Sequence, residues 1–207
     1  MPERIAVIGN CQSVPIAAIL SKMCPRIRVE AMPYTRIKNL EQAAEVAKAL
    51  DSYDLILIQD VDRLGCGPMR LPRIAEKYSN VVQFPAILFS GFHPDFIIVE
   101  RGHFLSAASK LHSLIVAAAY FESVPEEQVR PLFNSNVFKV LGYFEVFERE
   151  REALLSRAQN LGYDFARSFE TWKCRGIFML RLITPSSRFF SPLRKRWHKR
   201  PDWMPAP

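Results

Sequence analysis

Cys11 is the residue whose type and position best suit it to act as a nucleophile. It follows an apolar run, residues 5–8, and Gly9, and it precedes Gln12 and Ser13. Such a run predicts a strand buried on both faces, as in a parallel sheet. Gly9 permits a sharp turn, and Ser13 is the expected N-cap of the next helix. Cys11 would then lie at the carboxyl end of a strand, where open α/β sheets bind ligands, and near a helix N-terminus that favours a thiolate.

Two interpretations of the turn Gly9-Asn10-Cys11-Gln12 remain open. In the first, Cys11 is a nucleophile, and the backbone N–H groups of Cys11 and Gln12 hold a developing oxyanion. In the second, Cys11 is a small packed residue in a tight connection, since a free cysteine usually serves packing. The turn is not a phosphate loop of either common kind, because it lacks further glycines at dinucleotide-binding spacing and a Gly-Lys-Ser/Thr sequence.

A cysteine nucleophile needs a nearby base, and His93 is the strongest candidate. The sequence has four histidines: His93, His103, His112 and His198. His93 lies in the polar segment 90–95, where Pro94 favours an extended conformation of His93 and Asp95 is close enough to orient its ring. The alternative is a simple turn capped by Asp95. His112 is predicted in the middle of a helix beside Ser113, where a structural role is the default.

Alternating apolar runs and amphipathic segments predict an α/β fold with a parallel sheet flanked by helices, an SGNH or flavodoxin-like core, and a helical C-terminal half. The predicted strands are residues 5–8, 27–32, 55–58 and 81–84, the last extended through 87–89. The predicted helices are 13–23, 39–50, 71–78, 105–121, one that starts at 124–127, and 136–161 with a break at Gly142. Parallel strands would bring Cys11, Gln59-Asp60 and the segment 93–95 to one edge of the sheet.

Composition predicts one α/β domain over residues 1–185 and a basic aromatic tail over 186–207. The chain has 207 residues with 49% hydrophobic content, enough for one sizeable core. We expect neither a signal peptide nor a membrane-spanning helix, because no apolar run approaches about 18 residues. The four cysteines form no Cys-x-x-Cys pair, so we expect no metal site and reduced thiols in the cytoplasm.

The net charge of +7 is concentrated in the tail, since six cations and no acid lie between residues 188 and 200. The rest of the chain is therefore nearly neutral. Phe189, Phe190 and Trp197 are interleaved with these cations, which predicts peripheral contact with an anionic membrane at its inner face. Nucleic acid is not expected as a partner. The alternative is a solvated terminus.

Four segments resemble the WcbI family of capsular polysaccharide biosynthesis enzymes, over about residues 4–183. They are Gly9-Asn10-Cys11-Gln12, Gln59 after the third strand, Phe89-Ser90-Gly91-Phe92-His93-Pro94-Asp95, and His112-Ser113. One departure is Ile183-Thr184-Pro185-Ser186, where the family pattern has an Asn-His-Pro-like motif. The resemblance implies a sugar O-acetyltransferase that binds coenzyme A or acetyl-CoA and modifies a capsule saccharide. The position of Cys11 is also similar to that of the serine in SGNH-type hydrolases and transferases.

These observations lead to a set of predicted roles. In the catalytic step, His93, oriented by Asp95, deprotonates either the Cys11 thiol or a sugar hydroxyl. The residues predicted to stabilise the oxyanion or bind substrate are Asn10, Gln12, Gln59, Ser90 and Gly91. The residues predicted to contact coenzyme A are Lys110, His112, Ser113 and Arg63, with Arg70 and Arg73 as alternatives to Arg63.

The predicted partners are acetyl-CoA and an acceptor saccharide, and self-association into a homo-oligomer is compatible with the sequence. Two other functions remain open. The first is an esterase or thioesterase, in which water accepts the acyl group. The second is a non-catalytic component that binds coenzyme A or glycan within a biosynthesis complex.

Overall fold

The computed structural model describes residues 2–60, 67–98, 111–177, 179–181 and 184–185. The strands are β1 (Arg4–Gly9), β2 (Arg28–Pro33), β3 (Leu55–Asp60), β4 (Val81–Pro85), β5 (Phe96–Ile98), β6 (Leu111–Ser113), β7 (Met179–Arg181) and β8 (Thr184–Pro185). The helices are α1 (Ser13–Met23), α2 (Leu40–Ala49), α3 (Leu71–Lys77), α4 (Leu114–Phe121), α5 (Glu126–Val129), α6 (Ser135–Val140), α7 (Tyr143–Asn160) and α8 (Ala166–Cys174).

The chain divides into two compact units, one formed by Met1–Leu88 with Leu155–Pro207 and the other by Phe89–Leu154. The predicted single domain over residues 1–185 stays a prediction. The tail over residues 186–207 lies outside the described residues, and so does the expected membrane contact that depends on it. In the described part of the chain, no helix has the length and apolar character needed to cross a bilayer.

The first unit is built on a four-stranded parallel sheet with the strand order β2-β1-β3-β4, which confirms the predicted α/β fold. Ile8 of β1 lies opposite Met32 of β2 and Ile58 of β3. From β1 the chain adds β2 on one side and then β3 and β4 on the other. The order of strands therefore reverses between β1 and β3, and open sheets bind their ligands at the carboxyl ends of such a pair.

Buried side chains alternate between the two faces of this sheet along β1 and β3, and each face packs against helices. On one face the buried residues of β1 and β3 pack with those of α2, its following turn and α3: Ala6, Ile8, Ile56, Ile58, Ala43, Ala47, Leu50 and Ile74. On the other face they pack with those of α1: Ile5, Val7, Leu57, Ala17 and Leu20. Full burial of an Ile or Leu side chain stabilises by about 1.5–3 kcal/mol, so these two layers hold β1 and its carboxyl end in place.

Three predicted elements around the site are wrong in detail. β4 ends at Pro85, and the backbone of Ile87 is bonded to a side chain rather than to a neighbouring strand. Gln12, not Ser13, is the residue preceding α1, and Ser13 is its first helical residue. Within the predicted helix 105–121, only α4 is helical among the described residues, because residues 111–113 pair antiparallel with β5.

Other boundaries agree with the sequence pattern or add to it. The predicted break at Gly142 is confirmed, since Gly142 has φ +67 and separates α6 from α7. In α2, Ala43 and Ala47 are buried, whereas Leu40 is 65% exposed. α8 was not predicted, although it places Phe169 and Trp172 in the interior.

Candidate functional site

Asn10 folds the chain from β1 into α1. Its side-chain Oδ1 accepts a hydrogen bond from the Gln12 backbone N–H at 2.8 Å. Its carbonyl oxygen accepts from the Ser13 backbone N–H at 3.0 Å and from the Ser13 hydroxyl at 2.9 Å. An asparagine that bonds the backbone two residues on makes a tight local turn. Cys11 lies at the outside of this turn and is exposed.

A buried network of amide groups lies beneath Cys11. Gln59, Gln12 and Asn10 are 0%, 2% and 7% exposed. Gln59 Oε1 accepts from the Asn10 backbone N–H at 2.9 Å, and Gln59 Nε2 donates to Gln12 Oε1 at 2.7 Å. Gln12 bonds both backbone groups of Ile87, donating from Nε2 to its carbonyl at 2.7 Å and accepting from its N–H at 3.1 Å. The network joins the carboxyl ends of β1 and β3 to the segment after β4.

The network fits closely around the end of β1. A Cβ atom on Gly9 would lie 2.6 Å from Gln59 Oε1 and 2.9 Å from Gln59 Cβ, so this position requires glycine. Among the described residues, the backbone N–H of Cys11 has no hydrogen-bond acceptor. That N–H group is therefore a candidate donor to a ligand oxygen. Gln12, in contrast, directs its side chain into the protein, where its described bonds hold the turn in place.

His93 lies in the second unit, in a loop closed by its own backbone. Its N–H donates to the Ser90 carbonyl at 2.7 Å, and its carbonyl accepts from the Phe96 N–H at 3.1 Å. Its imidazole is stacked on the Phe96 ring, with the centroids 5.0 Å apart and the planes at 9°. The loop therefore restrains both the backbone and the ring of His93.

Asp95 fastens this loop to the N-terminus of α4. Its carbonyl accepts from the Leu114 N–H at 2.7 Å, and its Oδ1 accepts from the Ile115 N–H at 3.1 Å and from the Tyr143 hydroxyl at 2.7 Å. A carboxylate at a helix N-terminus is stabilising. Burial and the hydrogen bond to Asp95 raise the pKa of Tyr143 above its ordinary value. The predicted role of Asp95 in orienting His93 stays a prediction.

Gly91 and Ser90 are held by α7, a helix whose sequence carries no sign of a link to the site. A Cβ atom on Gly91 would lie 2.5 Å from Phe89 Cζ and 3.0 Å from Phe147 Cα. The rings of Phe89 and Phe147 meet edge to face at 5.2 Å. The Ser90 N–H donates to Glu150 Oε2 at 3.2 Å. No local signal in the sequence could show these contacts, because the partners are more than fifty residues apart in the chain.

The predicted site residues thus form two groups. Asn10, Cys11, Gln12 and Gln59 meet in the first unit, while Ser90, Gly91, His93, Asp95, His112 and Ser113 belong to the second. His112 lies on β6 opposite Ile97, and Ser113 caps α4 by accepting from the Val116 N–H at 3.1 Å. Arg63 and Lys110 lie outside the described residues. Within the described ranges, no three metal-ligating side chains are grouped so as to hold an ion.

A known protein family matches the sequence of this chain. The family model described as polysaccharide biosynthesis enzyme WcbI matches residues 4–202. No curated protein matches the chain. A solved structure of WcbI shares the fold with a TM-score of 0.72 and 18% identity, covering 96% of this chain and 69% of that chain. That structure is described as the native protein without a disulfide bond between coenzyme A and one of its cysteines. The chain belongs to the WcbI family of polysaccharide biosynthesis enzymes.

Proposed function

We propose that this protein transfers an acetyl group from acetyl-CoA to a sugar hydroxyl of a capsular or other surface polysaccharide. The observation that carries the proposal is the exposed Cys11, which lies where the strand order reverses and whose N–H has no acceptor among the described residues. The related WcbI structure is described by reference to a disulfide between coenzyme A and a cysteine. We assign to Cys11 the corresponding position beside the sulfur of the cofactor.

Two routes account for the transfer, and each balances. In the first, His93 takes the proton of the Cys11 thiol, the sulfur attacks the acetyl carbonyl, and coenzyme A leaves as a thiolate that takes up a proton. A sugar hydroxyl then attacks the acetylated Cys11, and the thiol is restored. In the second, His93 takes the proton of the sugar hydroxyl, which attacks acetyl-CoA directly. Both routes yield an O-acetyl sugar and free coenzyme A.

Either route develops negative charge on the acetyl oxygen, and the Cys11 N–H is the proposed donor to it. One such donor commonly contributes about 3 kcal/mol to catalysis. The donor is effective only when its direction is held before the reaction. The turn bonded through Asn10 and the buried amides of Gln12 and Gln59 supply that rigidity.

The test is the release of coenzyme A from acetyl-CoA, measured with and without candidate capsule glycans. Cys11→Ser is compared with Cys174→Ser, because both thiols are exposed and Cys174 lies at the end of α8 in the same unit. By the first route Cys11→Ser abolishes release, by the second it retains the backbone N–H donor and much of the rate, and Cys174→Ser retains release in both. His93→Ala should lower the rate by about 10²–10⁴-fold, as loss of a general base does. Equal rates in the two cysteine variants would contradict the first route, and a rate that is unchanged in both Cys11→Ser and His93→Ala would contradict the proposal.

The same assay separates the alternatives. Repeated release without glycan, beyond one coenzyme A per protein, indicates an esterase or thioesterase. No release, together with binding of coenzyme A by calorimetry, indicates a non-catalytic component. Rapid-quench mass spectrometry that finds an acetyl group on Cys11 would select the first of the two routes.

A further inference from the structure

A groove of about 830 Å³ lies on the helical unit Phe89–Leu154, and none of the residues assigned to the reaction belongs to its lining. Its walls are α4 and the segment that runs through α5 to Phe133. The lining residues that give the groove its aromatic, apolar and charged character are Val116, Tyr120, Glu126, Glu127, Arg130 and Phe133. Its volume lies within the range of about 300–1,000 Å³ that is usual for sites of small ligands.

The lining presents flat aromatic rings and charged groups side by side. Tyr120 is 66% exposed and Phe133 is 44% exposed, which is high for large aromatic side chains. Glu126, Glu127 and Arg130 are exposed as well, and they form no ion pair within the described ranges. Their hydrogen-bonding capacity is therefore directed to solvent or to a ligand.

This combination matches the surface of a sugar chain. The face of a pyranose ring carries C–H groups that pack on an aromatic ring, while its edge carries hydroxyls that donate to carboxylates and accept from a guanidinium. A polyphosphate ligand is disfavoured, because two carboxylates and one cation give the groove a negative balance. A purely apolar partner would leave three charged side chains desolvated.

The walls of the groove are fixed by an unusual turn. Ser123 has φ +54, a left-handed conformation that favours glycine, at the end of α4. The N–H of the next residue, Val124, donates to the Ala119 carbonyl at 2.9 Å, which closes the helix end. This turn sets α5 beside α4, so the groove is formed before any ligand binds, and that lowers the cost of ordering on binding.

We propose that this groove binds an oligosaccharide segment of the polysaccharide that serves as acceptor. The identity of that glycan as the acceptor rests on the proposed acetyl transfer, whereas the binding itself does not. The groove would hold the chain by several sugar units, and the transferred acetyl group would be added elsewhere along it.

The test uses the labelled full-length protein on an array of bacterial capsule and lipopolysaccharide oligosaccharides, without acetyl-CoA. The strongest ligand is then titrated by calorimetry against the wild type, Tyr120→Ala and Phe144→Ala. Phe144 is the matched control because it is 59% exposed on α7 and does not line the groove. We expect at least one oligosaccharide to bind, Tyr120→Ala to weaken it about tenfold or more, and Phe144→Ala to leave it unchanged.

Each result supports or overturns the proposed glycan binding in the groove, and it does so independently of the enzyme reaction. Glycan binding that depends on Tyr120 supports it, even where acetyl transfer is absent and the proposed function fails. Acetyl transfer with unchanged glycan affinity and KM in Tyr120→Ala overturns it and leaves the proposed function standing. It is also overturned by the absence of any retained glycan, by loss of coenzyme A binding in Tyr120→Ala, or by a change of sedimentation that shows the groove to be a contact between two copies.

Discussion

Replacing Gln59 by glutamic acid should make the stability of the first unit depend on pH. A protonated carboxyl has nearly the shape of the amide, so it can accept from the Asn10 N–H and donate to Gln12 Oε1 as Gln59 does. An ionised carboxylate keeps the first bond but has no proton for the second. Two oxygens would then face each other across the present 2.7 Å contact, at a position that is 0% exposed.

The magnitude follows from linkage. Burial and the facing Gln12 oxygen both disfavour the carboxylate, so they raise the pKa of the introduced group in the folded state. A raised acid pKa means that stability is greatest at low pH and falls as pH rises above about 4.3, the ordinary value for glutamic acid. The loss is about 1.4 kcal/mol for each pH unit until the raised value is passed. Gln59→Leu instead removes both bonds at every pH and should cost about 2–4 kcal/mol.

The assay is urea unfolding at pH 5 and pH 8, followed by tryptophan fluorescence, because Trp172 is 2% exposed in the same unit. Gln159→Glu is the control, since Gln159 is exposed on α7 in the part of that helix that belongs to the first unit. We expect Gln59→Glu to approach the wild type at pH 5 and to fall well below it at pH 8. A difference from the wild type that is the same at both pH values would refute the buried amide network.

Three further predictions concern the turn, the sheet and the groove. Gly9→Ala places a Cβ 2.6 Å from Gln59 Oε1 and should cost about 1–3 kcal/mol of unfolding free energy in urea, and a neutral effect would contradict the close approach. The backbone N–H groups of Arg4 and Glu3 lower the pKa of Asp54 below its ordinary value of 3.8. The Asp54 carboxylate therefore contributes its full stabilisation above pH 3.8, and this stabilisation is lost as the pH falls through the lowered pKa. Asp54→Asn should therefore lower the melting temperature at pH 6 and flatten its decline toward pH 3, and a curve parallel to that of the wild type would argue against these bonds. Ser123→Gly relieves a φ of +54 and should stabilise by up to about 1 kcal/mol in thermal unfolding, whereas a loss would mean that the serine side chain has another role.

The strands and first helix around Cys11 were predictable because their signals are local. An apolar run, a glycine and a polar turn are read within about ten residues, and the observed β1 and α1 match that pattern. His112 was placed wrongly in a helix because Leu111 and Leu114 lie at helical spacing. Its backbone instead pairs with Ile97 of β5, and such pairing with a distant segment overrides a short periodic pattern.

The sequence alone therefore determined which segments become parallel strands, which turns follow them, and that a cysteine lies on the first of those turns. Tertiary structure decided what holds these turns. Gln12 meets Ile87, seventy-five residues away, and Asp95 meets Tyr143, forty-eight residues away. Hydrophobic periodicity acts within one element, whereas a buried amide or carboxylate takes whichever donors the packed chain brings to it. Those partners exist only once the fold has formed.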